Sequence, residues 1–245
     1  MGNLWKYIIM AISFVLAAII VAAAYTEGHK PAMGTITVTG LGETEFTSDL
    51  IVINGSIQAD NYDAAEAYHT LEQHRNKVVA FLASKGVKEE YISFDMPYAY
   101  KKSRSIYEDG EYRGEQFAGY NISQSFTIES KDVDNAESAA RELPSLIAQD
   151  INIHVSNPMY YYTGLEDVKL TLLSDAAADA RDRAMNIAKS SKSDLGELKL
   201  SRAGVFQITA ATGDEEFSAG GSFNLSSRDK KARVTVRSEF YIKEK

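Results

Sequence analysis

The histidines are the first residues to test for metal or acid–base chemistry, and they are few and scattered. The chain contains His29, His69, His74 and His154. His69 and His74 are separated by ~140° around the axis of a predicted helix, so they do not share a face. The HExxH motif, which places two zinc-binding histidines on one helix face, does not occur. We therefore expect His69 and His74 at exposed polar positions rather than in a metal site.

Three carboxylates do share one face of a predicted helix: Asp175, Asp179 and Asp182. Their spacing brings neighbouring side chains together on the helix surface. Carboxylate oxygens are the ligands that hard cations prefer, so a cation site is one interpretation. The other is a solvated face that Arg181 and Arg183 partly neutralise, and we favour it.

Motifs for covalent catalysis and phosphate binding are missing from the sequence. The absence of cysteine excludes a thiolate nucleophile, a disulfide and a cysteine zinc site. No G-x-S-x-G elbow occurs. The glycine-rich stretch 213–221 lacks the P-loop pattern, and its acids Asp214, Glu215 and Glu216 would repel a phosphate. We predict a flexible hairpin loop there, and no catalytic, cofactor-binding or metal site in the chain.

The tyrosines are the least ordinary feature of the composition. Three are consecutive, Tyr160 to Tyr162, and five surround a predicted hairpin: Tyr98, Tyr100, Tyr107, Tyr112 and Tyr120. Tyrosine suits a surface buried against a partner, because its ring is apolar and its hydroxyl can remain hydrated. It also packs well on ordinary sheets, so both interpretations stay open. The three consecutive rings favour an interface, since they cannot all point into one core.

The elements that must position these residues alternate between strands and helices. Helices are predicted at residues 61–85, 132–147 and 165–190. Asp60 or Asn61 is expected as the N-cap of the first and Gly86 as its terminating residue, and Asp132 is expected to cap the second. Pro144 should kink or end the second of these. Strands are predicted at 34–40, 49–59, 87–100, 117–129, 151–156, 198–209 and 232–242. Gly40 and Gly42 are expected to form a bend or bulge.

A polar loop with the turn signal Asp109-Gly110 is predicted between residues 101 and 115, so its flanking strands should form an antiparallel hairpin. The order of elements contains two β-α-β-β units. The predicted fold class is therefore α+β, with helices packed on one face of mostly antiparallel sheet.

The N-terminal stretch from Tyr7 to Ala24 is apolar and uncharged. As a helix it would extend ~27 Å, about the thickness of a hydrocarbon core, which predicts a transmembrane segment. Lys6 precedes it, so the N-terminus is expected in the cytoplasm and the rest of the chain outside it. A signal peptide cleaved after Ala22 to Ala24 is an alternative. A buried core helix is a third, disfavoured because only Ser13 is polar.

Length and charge limit the remaining possibilities. The chain has 245 residues and a net charge of −8, which makes nucleic acid an unsuitable partner. We divide it into an anchor or signal peptide at residues 1–25, a linker at 26–33 and one exported domain at 34–245.

Several stretches, in order, resemble the SIMPL domain family, also called DUF541. They are GTITVTGLGE (34–43), DLIVINGSI (49–57), YISF (91–94), FAGYNI (117–122), DAAADARDRAMNIA (175–188) and KARVTVRSEFYI (231–242). The resemblance extends from about Gly34 to Ile242, and Pro144 departs from it within the connecting helix. It implies a periplasmic or membrane-associated protein of the bacterial envelope. Members are linked to oxidative stress tolerance and to a large hollow oligomer, and the family has no established catalytic residues.

The main functional hypothesis is a non-enzymatic envelope protein, anchored in the inner membrane through residues 7–24, whose subunits form a homo-oligomer. A binding module for a small molecule or peptide is the alternative, and a hydrolase with an unrecognised site is the weakest. Any role in stress tolerance should be indirect, because the chain has no thiol and only six methionines, two of them (Met1 and Met10) at the N-terminal segment.

Overall fold

The computed structural model describes residues 4–28, 34–212 and 218–243. Over these residues the fold is mixed α+β, with two sheets and four α-helices. The chain divides into two compact units. The smaller comprises residues 1–39, 180–202 and 237–245, and the larger comprises 40–179 and 203–236.

The N-terminal apolar stretch is helical. Helix α1 is Leu4–Gly28, longer than predicted at both ends, and its described side chains, Trp5 and those from Ile8 to Ala23, are all exposed. Within the described residues, no helix combines the length and apolarity needed to cross a membrane, so the predicted transmembrane helix is not supported. The predicted linker at 26–33 lies largely outside the described residues.

The larger unit contains a six-stranded sheet in the order β3-β5-β2-β6, with β4 also paired to β5 and β7 to β2. Its strands are β2 (Leu50–Asn61), β3 (Ile92–Phe94), β4 (Tyr98–Glu108), β5 (Glu111–Ser130), β6 (Asn152–Val155) and β7 (Met159–Tyr161). Strands β2 and β5 are antiparallel along their shared length, with Ile53 opposite Ile128 and Ile57 opposite Gln124. The alternation of apolar residues in β2 therefore directs one face of the sheet toward the core.

Helices α2 and α3 supply the other side of this core. α2 (Ala64–Ser84) begins later than predicted, because Asp63 caps it by accepting hydrogen bonds from the N–H groups of Ala65 and Glu66. α3 (Val133–Glu142) is capped by Asp132 as predicted, and a 3-10 helix, Leu143–Gln149, replaces its predicted continuation at Pro144. Gly86 has a φ of 83°, which confirms the predicted helix termination.

Two predictions for the region 87–115 are wrong. The predicted strand 87–100 is interrupted by a 3-10 helix, Glu89–Tyr91, and divides into β3 and β4. The predicted polar loop is instead strand on both sides of Asp109-Gly110, where the turn was correctly placed.

The other sheet runs in the order β1-β11-β9-β10, with β8 also paired to β11. Its strands are β1 (Thr35–Thr47), β8 (Asp194–Ala203), β9 (Gln207–Ala210), β10 (Ser222–Phe223) and β11 (Asp229–Lys243). β9 and β10 are parallel, an exception to the mostly antiparallel pairing that was predicted. Helix α4 (Leu165–Ser190) has the predicted bounds. In the smaller unit, Ala180, Ala184 and Ala188 pack against Ile36 and other strand residues.

Strand β1 continues past Gly40 and Gly42 to Thr47, so the predicted end of the strand at Gly40 is wrong. In the larger unit, Gly42 lies directly against α4. A methyl group at Gly42 would overlap the carbonyl oxygen of Leu172 and lie 3.2 Å from the amide nitrogen of Ala176. The glycine therefore permits a close approach of strand and helix.

Candidate functional site

The hairpin of β4 and β5 continues past the point where the rest of the sheet ends. Between residues 111 and 119, β5 pairs with β4 alone, because its pairing with β2 begins at Tyr120. We call residues 103–117 the arm. All of its residues are exposed except the half-buried Gly114. At ~3.4 Å per residue, the strand from Ser103 to Glu108 extends the arm by ~20 Å.

The tip of the arm is a two-residue turn. Asp109 and Gly110 have φ values of 53° and 82°, and positive φ at both central residues is the signature of a type I′ hairpin turn. Glu108 and Glu111 face each other across the turn. This like-charge pair is partly compensated by Arg113, whose Nε lies 3.5 Å from a carboxylate oxygen of Glu108.

The two strands of the arm differ in regularity. The register shifts between Lys102 and Ser103 and again between Ile106 and Tyr107, so β5 contains two residues, Arg113 and Ala118, with no partner on β4. These are β-bulges, which bend and twist the strand that contains them. β4 has no extra residue, so its outer edge is regular while that of β5 is irregular.

A polar network fixes the base of the arm to the sheet. The Asp60 carboxylate accepts a hydrogen bond from Lys102 Nζ at 2.7 Å and one from Asn121 Nδ2 at 2.6 Å. Burial acts to raise the pKa of Asp60, but these two hydrogen bonds outweigh it and hold the pKa below its usual value. The bond to Asp60 also raises the pKa of Lys102. The network joins β2, β4 and β5 at the residues where the arm begins.

Aromatic side chains occupy the arm and its base. Near the tip, the rings of Tyr107 and Tyr112 meet edge to face with centroids 5.9 Å apart. Tyr98 and Tyr100 stack at 6.2 Å on the base. Tyr98, Tyr107 and Tyr112 are 69%, 66% and 57% exposed. Of the hairpin tyrosines predicted as a possible interface, only Tyr120 is half-buried rather than exposed.

Charge is segregated along β4. Lys101, Lys102 and Arg104 lie at the start of the arm, whereas Glu108 and Asp109 lie at its tip. Along β4 the charge therefore changes from positive before and at the start of the arm to negative at its tip. On β5, Glu111 adds to the negative tip, whereas Arg113 and Glu115 do not follow this pattern. Such an arrangement can match the same arm of another chain placed in the opposite direction.

The three consecutive tyrosines are not an exposed cluster. Tyr160 is only 7% exposed and belongs to the core between α2, α3 and the sheet. Burial raises its pKa, and Glu137 adds to the effect. Tyr161 is half-buried, and the half-buried ring of Tyr162 lies 4.8 Å from that of Phe46. The preference for an interface at these residues therefore fails for Tyr160, which sits opposite the buried Ile51 in the sheet.

The candidate metal residues do not converge. His69 is exposed near Glu72, His154 is exposed, and His74 is buried, with its ring nitrogen Nδ1 donating to the backbone oxygen of Gln58 at 3.2 Å. The expectation of an exposed position is therefore wrong for His74. His29 lies outside the described residues, as do the acids of the stretch 213–217.

Among the three aspartates of α4, Asp175 and Asp182 are exposed. Asp179 instead accepts a hydrogen bond from the backbone N–H of Leu41 at 2.8 Å. In the part of the chain that the structure describes, no group of three or more histidine or acidic side chains is placed to hold a metal ion. The hydrogen bond by which Asp179 joins α4 to β1 was not predicted, because nothing in the sequence indicates that these two residues meet.

Comparison with protein families matches residues 36–240 to SIMPL, described as a protein of unknown function (DUF541). Comparison with curated proteins finds no match. Among solved structures, the chain is similar to the de novo designed protein Foldit4. The identity is 8% and the TM-score 0.25, over 44% of this chain and 93% of that one. A similarity that low carries no argument about fold or function.

Proposed function

Because the chain belongs to the SIMPL (DUF541) family, we propose that it is a non-enzymatic protein of the bacterial envelope that assembles into a homo-oligomeric scaffold. The arm is the observation that carries this proposal. It exposes aromatic rings and an ordered strand edge in a region that contributes nothing to the core. Exposed aromatic residues are typical of surfaces that bind protein partners.

We further propose that the apolar stretch of residues 7–24, of which the structure describes the side chains of residues 8–23, holds the chain at the inner membrane, with the N-terminus in the cytoplasm and the domain in the periplasm. The support is its exposed apolar surface, which includes Phe14, Ile19 and Ile20 at 78%, 59% and 66% exposure. A patch of this kind favours burial in lipid or against protein. Cleavage as a signal peptide would instead release the domain into the periplasm, and N-terminal sequencing of the mature protein distinguishes the two.

The experiment for self-assembly is the mass of the full chain in mild detergent, measured by light scattering after gel filtration. A particle of several subunits that persists on dilution is the expected result. A monomer at every concentration would overturn the scaffold proposal. Because α1 could promote association in micelles, the same measurement is repeated in a detergent of different micelle size, which should leave the number of subunits unchanged.

A second candidate function is binding of a small apolar ligand, and one cavity favours it. The cavity has a volume of about 350 Å³, and its lining includes the apolar Leu41, Val205 and Val234 and the charged Arg233. Ligand sites commonly begin at ~300 Å³ and are mostly apolar. Binding of an apolar fluorescent dye should be lost in Val205→Trp, which fills the cavity, and kept in Leu198→Trp. Equal binding by both variants would remove this candidate.

A further inference from the structure

We infer that two copies of the chain join through their arms, with the outer edge of β4 in one copy pairing antiparallel to β4 of the other about a two-fold axis at Ser105. The inference deepens the proposed self-assembly and rests on it. It identifies the partner as a second copy of this chain and gives the register of the contact. Three features of the arm carry it: the regular edge of β4, the segregation of charge, and the lack of other support.

The edge of β4 is the one suited to pairing. An unpaired strand edge presents backbone N–H and C=O groups that can bind another strand. β5 contains bulges at Arg113 and Ala118, and Gly114 has a φ of 124°, so its edge departs from the geometry of a flat ladder. β4 is regular from Tyr98 to Glu108. A second strand can therefore pair regularly with the outer edge of β4, but not with that of β5.

The charges select a register. Side chains directly opposite each other in an antiparallel pair lie on the same face, and a two-fold axis perpendicular to the sheet preserves each face. With the axis at Ser105, Lys102 lies opposite Glu108, and Lys101 lies opposite Asp109. Symmetry repeats both pairs. The positive base of each arm therefore meets the negative tip of the other.

Neighbouring registers are less favourable. An axis at Ser103 sets Lys102 against Arg104, and an axis at Arg104 sets that residue against its own copy. Opposite like charges destabilise a strand pair. An axis at Ile106 does pair Arg104 with Glu108, but it shortens the overlap at both ends. The register at Ser105 overlaps residues 102–108, fewer than the registers at Ser103 and Arg104, but of the four it alone combines two kinds of attractive pair with no like-charge pair.

Among the described residues, the arm contacts the rest of the chain only near its base, where the rings of Phe117 and Tyr62 lie 6.2 Å apart. From Ser103 to Gln116 its described side-chain contacts join its own two strands, as in the hydrogen bond from Ser103 Oγ to Glu115 and the contact of Tyr107 with Tyr112. A two-stranded ribbon is marginally stable in water by itself. Pairing of two arms makes a four-stranded ribbon. Charged residues on an edge strand can also prevent it from pairing with another strand. That role would not require the cations to lie at one end of β4 and the anions at the other.

The absence of cysteine permits a sharp test in the full chain. Two-fold symmetry at Ser105 places its two Cα atoms ~4.5–5.5 Å apart, within the ~4.4–6.8 Å that a disulfide allows. Ser105→Cys should therefore form a disulfide-linked dimer rapidly under mild oxidation. Ser103→Cys is the matched control on the same strand and face. In the proposed register, residue 103 of one copy lies opposite residue 107 of the other. The two introduced cysteines would therefore be ~14 Å apart and should not cross-link. Equal cross-linking of both variants, or none at Ser105→Cys, would overturn the register.

Charge exchange provides the second test and separates assembly from folding. Lys101→Glu reverses one charge at the base and leaves Lys102 bound to Asp60, and Asp109→Lys reverses the charge that faces residue 101 at the tip. Each variant alone should dimerise about ten-fold more weakly or worse, because symmetry introduces two like-charge pairs. An equimolar mixture should restore assembly, because each reversed base then meets a reversed tip.

The outcomes distinguish this inference from the proposed function. If the wild-type chain is monomeric, self-assembly fails and the arm contact with it. If the wild type assembles and the charge variants assemble equally well, the scaffold proposal stands and the arm is not the interface. If the variants are monomeric and their mixture remains so, the base-to-tip arrangement is wrong.

Discussion

The contact between Gly42 and α4 gives the most direct test of the packing in the larger unit. In Gly42→Ala the new methyl group overlaps the carbonyl oxygen of Leu172 and lies 3.1 Å from the carbonyl carbon. Both atoms belong to the backbone of α4, so no side-chain rotation relieves the overlap. Strand and helix must separate, which also strains the 2.8 Å hydrogen bond from the Leu41 N–H to Asp179.

The magnitude follows from two opposing effects. Overpacking of a close contact destabilises by ~1–3 kcal/mol. Alanine is favoured over glycine within a strand by ~0.5–1 kcal/mol, which offsets part of that loss. We expect a net loss of ~1–2 kcal/mol. For a chain of this size, each kcal/mol lowers Tm by ~2–4 °C, so the expected decrease is ~2–8 °C.

Thermal unfolding of the full chain, followed by circular dichroism, measures this effect. Gly220→Ala is the matched control, because a methyl group there meets nothing closer than Ser218 Oγ at 3.9 Å and the residue is exposed. Its Tm should stay within about 2 °C of the wild type, since exposed substitutions change stability by less than ~0.5 kcal/mol. If Gly42→Ala is as stable as the wild type or more so, the close approach of β1 and α4 is wrong.

Three further predictions concern a helix cap, a titrating carboxylate and a core ring. Asp63→Ala should lower the free energy of unfolding by ~1 kcal/mol in denaturant titration, because the capping bonds at the start of α2 are lost, whereas Asp63→Asn should retain most of them. The depressed pKa of Asp60 contributes stability above the unfolded pKa, which is lost as pH falls through the folded pKa. Acid titration from pH ~5 downward should therefore destabilise the wild type more than Asp60→Asn, by under ~1 kcal/mol, because the side chain is 48% exposed. Tyr160→Ala should cost ~3 kcal/mol or more in the same denaturant assay, and retention of full stability would contradict its burial in the core.

The long helices were predictable because each has a strong period and recognisable ends. The apolar stripe of α4 predicted both ends of that helix. The start of α3 was recognised from the capping residue Asp132, and the end of α2 from Gly86. Gly42 shows where such rules stop. A glycine within a strand is consistent with a bulge or with close approach of another backbone, and the close approach at Gly42 is visible only once the position of α4 is known.

The arm was mistaken for a loop for a physical reason. Alternation of apolar and polar residues reveals a strand when one of its faces is buried. Both faces of the arm are exposed, so residues 101–115 contain no alternation to detect. The turn at Asp109-Gly110 was found because it depends on local conformation alone. At Tyr160 a buried residue was instead interpreted as part of an exposed interface. The pairing of β7 with β2 directs its ring into the core.

The same reasoning bears on where function lies in this chain. Ordering a residue costs ~1–2 kcal/mol of backbone entropy, and core strands recover it by burying apolar area. The arm buries almost none, yet it has a favoured turn, a polar network at its base and segregated charges. These features are not needed by the core of the larger unit, which is complete without them. Burial of the arm in an assembly would explain why the chain stabilises an exposed ribbon that the core does not need. The cross-linking of Ser105→Cys tests this explanation directly.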